Sequence, residues 1–180
     1  MGRNGAAARW AAMDRKNESG LSPLAAGAIV VGVMGLSAWL GMRNAPDPRH
    51  PRIDRWYHRL DKPGFTPPDP VFGGVWPILE TGMAAGGYRL LRAPASPERN
   101  TAVALWLGNS AMIGGWTEIF FRRRMLNASV VASGTMTLAN AALVASARKV
   151  DKVAAASAIP LTLWLGFATI LAEGVRRRNR

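Results

Sequence analysis

Five apolar runs, each close to the roughly 20 residues that cross a bilayer core, leave this chain few ways to fold. They are Leu24 to Met42, Val71 to Leu91, Thr101 to Phe121, Leu126 to Ala147 and Val153 to Val175. In lipid each run satisfies its own backbone hydrogen bonds only as a helix or in a closed barrel. Alanine and glycine dominate where strands would favour β-branched residues, and no apolar-polar alternation competes. The expected class is all-α: an integral membrane bundle of five transmembrane helices with a structured Pro/Trp-rich first loop.

Charge placement supports the same class. The chain is 49% hydrophobic yet carries a formal net charge of +12, and its Lys and Arg fall between the runs rather than inside them. Polytopic membrane proteins segregate charge in this way. No nucleic-acid-binding module surrounds the basic residues, so a nucleic-acid partner is not expected. The separators containing Arg89, Arg92 and Arg99, then Arg122 to Arg124, then Arg148 to Lys152, read as interfacial groups that snorkel and meet lipid phosphates. A small excess of basic residues on the side holding the first loop, the third loop and the C-terminus places that side inside. Residues 1–22 read as a disordered basic tail, 23–176 as the membrane domain with a lid loop at 43–70, and 177–180 as a basic tail. The first apolar run lacks a small-x-small cleavage pattern at its end and is expected to be retained.

With no cysteine, neither a disulfide nor a thiolate metal site is available. His50 and His58 lie in one polar loop and read as solvated histidines without an acidic partner at ligand spacing. No phosphate-binding loop, Ser/His/Asp order or zinc helix is present, so no catalytic residue and no metal site is expected.

Small residues mark helix seams. Gly82 and Gly86 in the second run, and Ser129, Ser133, Thr137 and Asn140 in the fourth, suit close packing and shared hydrogen bonds in lipid. Ala104, Gly108, Ala111 and Gly115 in the third suit either a homodimer face or packing within the chain.

Aromatic residues recur on helical faces: Trp76 with Glu80, Met83 and Gly87; Asn109 with Ile113, Trp116 and Phe120; Pro160 with Trp164, Phe167 and Leu171. Trp otherwise favours the membrane interface, so Trp116 and Trp164 inside their runs fit either a flat stacking pocket or plain helix packing. Glu80 is the sharpest residue. A carboxylate at mid-span costs on the order of 2.5–3.5 kcal/mol, so it must face a cavity, find a partner or carry a proton.

The segment Trp56 to Trp76, with Tyr57, Leu60, Lys62-Pro63, Pro67-Pro68, Val71-Phe72-Gly73 and Trp76, is similar to the TspO/MBR family, the tryptophan-rich sensory proteins related to the mitochondrial translocator protein, the peripheral-type benzodiazepine receptor. The resemblance continues through Trp116-Thr117, Phe120-Phe121, Pro160, Trp164, Phe167-Ala168 and Leu171. It implies a five-helix bundle, often a homodimer, that binds porphyrins, sterols or isoquinoline-type ligands under a lid. It further implies a receptor or transporter-like sensor of tetrapyrrole or stress metabolism in a bacterial cell membrane, or an organelle membrane in a eukaryote. No cofactor is required, a porphyrin or haem-like ligand being the candidate occupant. Position by position, the resemblance implies Tyr57, Trp76, Trp116 and Trp164 as aromatic residues of the pocket and Pro67 and Pro68 in the lid; the helical faces add Glu80 and Phe167 to the expected ligand-binding residues, and the loop adds Trp56, Lys62, Pro63 and Phe65 to the expected lid. Phe65, Glu80, Ile113, Leu161 and Ala172 depart from the family pattern, mostly by replacing a polar or aromatic group with an apolar one. Two other readings stand beside a receptor: a proton-coupled carrier using Glu80, and a porphyrin-degrading activity.

Overall fold

The protein's structure is a computed structural model that describes residues 20–180. Most of the expected disordered tail therefore lies outside the described residues. Six α-helices are present among them: α1 (Pro23–Asn44), α2 (Pro51–Arg59), α3 (Asp69–Arg92), α4 (Pro97–Thr117), α5 (Leu126–Ala147) and α6 (Lys152–Arg178). The described residues form no strand. A π-helical turn, Glu118–Arg122, follows α4.

Local chemistry sets the helix ends. Pro23, Pro51 and Pro97 open their helices, where a missing N–H costs nothing. Ser22 and Ser96 accept from the backbone N–H of Ala25 at 3.2 Å and of Arg99 at 3.1 Å. At the far ends Ala45 and Ala93 turn extended because each precedes a proline. The capped starts explain why α4 begins four residues before the apolar run at Thr101: its first turn is polar and satisfied by the cap.

Two features were not legible in the runs. Residues 51–59 of the expected loop form a helix, and the end of the third run leaves α geometry at Glu118.

Helices α1, α5 and α6 are long and apolar enough to cross a membrane by length and composition. The five long helices close a ring in the order α6, α5, α4, α1, α3 and back to α6. Its surface is inverted relative to a water-soluble protein. Leu24, Val31, Ile78, Val131, Leu138 and Leu163 are more than two-thirds exposed, whereas Ser37, Asn109, Ser110, Ser129, Ser133 and Asn140 are buried. Small and polar residues form the seams, as expected for helices that associate in lipid by close packing and hydrogen bonds. Asn140 donates from Nδ2 to the Ala158 carbonyl at 2.9 Å and to Thr162 Oγ1 at 2.8 Å, tying α5 to α6. Gly82 and Gly86 meet α6 so closely that an added Cβ would lie 2.7 Å from the Ser157 carbonyl oxygen and 2.8 Å from Ser157 Oγ, respectively. The stripe of Ala104, Gly108 and Ala111 instead faces outward, and a Cβ at Gly108 would meet nothing within 4 Å.

The three arginines at and after the end of α3, expected at lipid phosphates, bond protein groups here. Arg99 donates to the carbonyls of Leu90 and Leu91 at the end of α3, and Arg92 donates to the Leu21 carbonyl. Arg89 pairs with Asp151, Nη2 to Oδ2 at 2.8 Å. Asp151 also caps α6 by accepting from the Ala154 N–H at 2.9 Å. The Arg89 hydrogen bond, opposed by partial burial, holds the Asp151 carboxyl below its ordinary value. A depressed carboxylate stabilises the fold above its unfolded pKa, near about 3.9, and that contribution disappears as pH falls through the lower folded value. Asp151→Ala is expected to cost about 1 kcal/mol through the lost cap. Asp151→Asn keeps a capping oxygen, so its deficit at neutral pH should shrink on acidification below about pH 4. Detergent unfolding curves at several pH values check both; a pH-independent deficit in Asp151→Asn would exclude the ion pair as its source.

Candidate functional site

The lid leaves α1 at Asn44 and returns to α3 at Asp69, lying against one end of the bundle. It docks at two places. Near the C-terminus of α6, Asn179 accepts from the Asp61 N–H at 3.1 Å and donates to the Asp61 carbonyl at 2.9 Å. Beside that clamp Pro63 is buried on Gly174, whose missing side chain makes the room; a Cβ there would overlap the proline ring.

The second dock is aromatic. Trp56 meets Phe120 edge-on at 5.7 Å, Tyr57 meets Phe121 at 5.6 Å, and Trp116 stacks on Phe120 at 4.8 Å with 11° between planes. The π turn aims Phe120 and Phe121 together at the lid, their rings 4.9 Å apart. Trp116 is further held by donation from Nε1 to the Ser129 carbonyl at 3.0 Å.

Tyr57 joins the dock to the start of α3. Its hydroxyl donates to Asp69 Oδ1 at 3.1 Å, and the Lys62 ammonium sits 3.5 Å above its ring. Burial, and after it the Asp69 charge, push the Tyr57 hydroxyl above its ordinary value, so it stays a proton donor. His58 is not the partnerless loop histidine expected: its Nδ1 lies 3.3 Å from Asp54 Oδ1 and its Nε2 lies 3.4 Å from Asp69 Oδ2. The helix over 51–59 brings Asp54 one turn below it, which a loop reading could not show.

Trp164 and Phe167 belong to a different group. Trp164 meets Phe72 at 5.8 Å and Phe167 at 5.4 Å, and Phe167 meets Phe65 of the lid at 6.4 Å. These four rings form a strip from the start of α3 across α6 to the lid. An open cleft of about 290 Å³, lined by Pro63, Phe65, Gly174, Arg177 and Arg178, lies at the lid end of the strip.

The structure thus brings Trp56, Tyr57 and Trp116 into one aromatic group and Phe65, Trp164 and Phe167 into another. Trp76 is half-buried and packs on the bundle core, with no aromatic pairing among the described residues. Glu80, one turn further along α3, is half-buried with no charged neighbour to pair it among the described residues. Pro67 is half-buried and Pro68 exposed at the entry to α3.

Phe72, Phe120 and Phe121 were not singled out as site residues, although their phenyl rings carry most of the contacts. Trp106 was not singled out at all. It is 1% exposed, covers Gly87 and donates to the Met83 carbonyl at 2.9 Å. The one available signal was a tryptophan deep within an apolar run. Among the described residues no group of three potential metal ligands is found.

Residues 25–178 match the TspO/MBR family. The chain belongs to that family. It is 33% identical over 127 residues to the translocator protein of Homo sapiens, covering 69% of this chain and 75% of that protein. It is 28% identical over 126 residues to the tryptophan-rich sensory protein of Cereibacter sphaeroides, covering 70% and 78%. To the tryptophan-rich protein TspO of Bacillus cereus it is 29% identical over 120 residues, covering 66% and 78%. The first two are named as a translocator and a sensory protein. Against the TspO/MBR pattern, three of the five departures are core residues: Ile113, Leu161 and Ala172 are 6%, 1% and 4% exposed. Phe65 is instead 54% exposed at the lid cleft.

Proposed function

We propose that this TspO/MBR protein crosses the membrane five times, in a bacterial cell membrane, and acts as a receptor or transporter-like sensor for a flat hydrophobic ligand. The porphyrin, sterol and isoprenoid classes share the needed shape. For α3 and α4, support for spanning comes from the closed ring and from outward-facing Ile78 and Leu107. The Ala104–Gly108–Ala111 stripe on α4 is the proposed homodimer face.

One observation carries the ligand reading: the strip Phe72, Trp164, Phe167 and Phe65 links bundle to lid beside an open cleft. Rings at these spacings offer faces and edges onto which another flat ring stacks, each such pair contributing about 0.5–1.5 kcal/mol beyond burial. An apolar wall with few polar groups is the usual construction of a small-molecule site. Binding is the function assigned to the strip, whose four rings and adjoining cleft are lined by aromatic residues, Pro63, Gly174 and two arginines.

The test is tryptophan quenching by protoporphyrin in detergent. The wild type should quench saturably, and Trp164→Ala should weaken the apparent affinity about tenfold, one aromatic contact's worth. Trp39→Phe, on the exposed face of α1, should leave it unchanged. Unsaturable quenching, or equal affinity in Trp164→Ala, rules the reading out.

A further inference from the structure

Helix α2 carries Arg52, Arg55, Trp56 and Arg59 at i, i+3, i+4 and i+7, so the four share one face. Arg124, from the turn between the π segment and α5, comes to meet that face. Its backbone sits at φ 57, a left-handed conformation that a residue with a Cβ rarely adopts. That conformation accompanies a guanidinium 5.5 Å from the Trp56 ring centroid, donating from Nη2 to the Arg52 carbonyl at 3.4 Å. Together the five residues line an open cleft of about 230 Å³.

The lining holds four guanidinium groups, one indole and no carboxylate. Of the acids close in sequence, Asp54 pairs with His58 and Glu118 with Arg122 and Arg123, and Asp61, two residues beyond Arg59, does not line the cleft. Among the described residues none of the four arginines has an acidic partner. Three of these charges belong to the lid and one to the bundle, so their mutual repulsion opposes the closed lid. A doubly or singly charged oxyanion bridging them would reverse that sign. Guanidinium forks match phosphate oxygens bidentately, which makes a phosphate the best-fitting oxyanion.

We propose that this cleft binds a phosphate group, supplied by the headgroup of an anionic phospholipid, and that the bound headgroup latches α2 to the α4–α5 turn. The cleft lies at the end of the bundle where α1 and α4 finish and α5 begins, and Met125, next to Arg124 in the chain, leaves an apolar side chain half-exposed there. The assignment depends on the membrane setting of the family and not on the aromatic strip. Protoporphyrin quenching and lipid binding therefore succeed or fail separately.

The experiment uses the full chain in maltoside micelles doped with phosphatidylglycerol or phosphatidylcholine. Native mass spectrometry counts retained lipid, and amide hydrogen exchange follows residues 51–59. Phosphatidylglycerol should be retained in preference to phosphatidylcholine and should slow exchange in α2. Both effects should fall about tenfold or more in Arg55→Gln/Arg59→Gln and in Arg124→Gln, since each juxtamembrane cation contributes appreciably to anionic-lipid attraction. Arg148→Gln/Lys149→Gln, in the loop at the other end, should keep both. Equal loss in that control overturns the site in favour of diffuse charge attraction. Slowed exchange with millimolar inorganic phosphate alone, with no preference for phosphatidylglycerol, overturns the lipid source. No response to either phosphate form overturns the proposal outright.

Discussion

Gly87→Ala is expected to destabilise this protein on the order of 3 kcal/mol, the upper range for overpacking a well-filled core. A Cβ at Gly87 would fall on the Trp106 indole, at Cε2, Cζ2 and Nε1. The indole has nowhere to go: Trp106 is 1% exposed, and its Nε1 is fixed to the Met83 carbonyl one turn before Gly87. In lipid the loss cannot be absorbed by exposing apolar surface to water, because packing rather than transfer from water holds these helices together. Gly108→Ala supplies the contrast, since a Cβ there meets nothing within 4 Å. It should sit within about 0.5 kcal/mol of wild type. Equilibrium unfolding by a denaturing detergent measures both. A double-mutant cycle with Trp106→Ala assigns the cause: removing the indole should relieve most of the Gly87→Ala penalty. Near-additivity would mean that the contact is not the source.

Gly174→Val is expected to release the lid while leaving the bundle folded. Valine at this position overlaps Pro63 and crowds Phe65, whose Cζ already lies 3.8 Å from where a Cβ would be. With Pro63 displaced, the Asn179 clamp on Asp61 is lost as well. Two hydrogen bonds at about 1 kcal/mol each correspond to about a thirtyfold shift of the lid towards opening. Hydrogen exchange of residues 60–66 should accelerate by that factor, with the α5 and α6 amides unaffected. Asn179→Ala alone should give a smaller acceleration of the same segment. Global acceleration in Gly174→Val would show instead that the glycine supports the bundle. Where the aromatic strip holds ligand under the lid, the same variant should also speed release of bound porphyrin.

The contrast between these two glycines shows how much was readable in advance. Gly87 fell on the helical face shared by Trp76, Glu80 and Met83, but nothing in the face named Trp106 as the side chain that would cover it. Gly174 sat in an apolar run without any pattern at all. The seams at Gly82 and Gly86, and at Ser133 and Asn140, were legible because small and polar residues at helical spacing have one main use in lipid. The grouping of the aromatics was not: Trp116 and Trp164 occupy separate clusters, each completed by a phenylalanine from another element. Helix α2 was hidden because a charged, proline-flanked segment of nine residues has no apolar run to announce it.

The sequence by itself determined the helices of the bundle, their approximate ends through proline and serine caps, and the inversion that puts apolar side chains outside. Each follows from local backbone chemistry and from a solvent that rewards apolar surface all round. For the same reason periodicity carries little information about partners: a helix apolar on every side does not declare which side meets a neighbour. Tertiary structure decided the ring order, the placing of Trp106 on Gly87, the docking of Pro63 on Gly174 and the meeting of Arg124 with α2. Those contacts depend on shape between residues as much as 111 positions apart, and shape at that range is set only when the helices have packed.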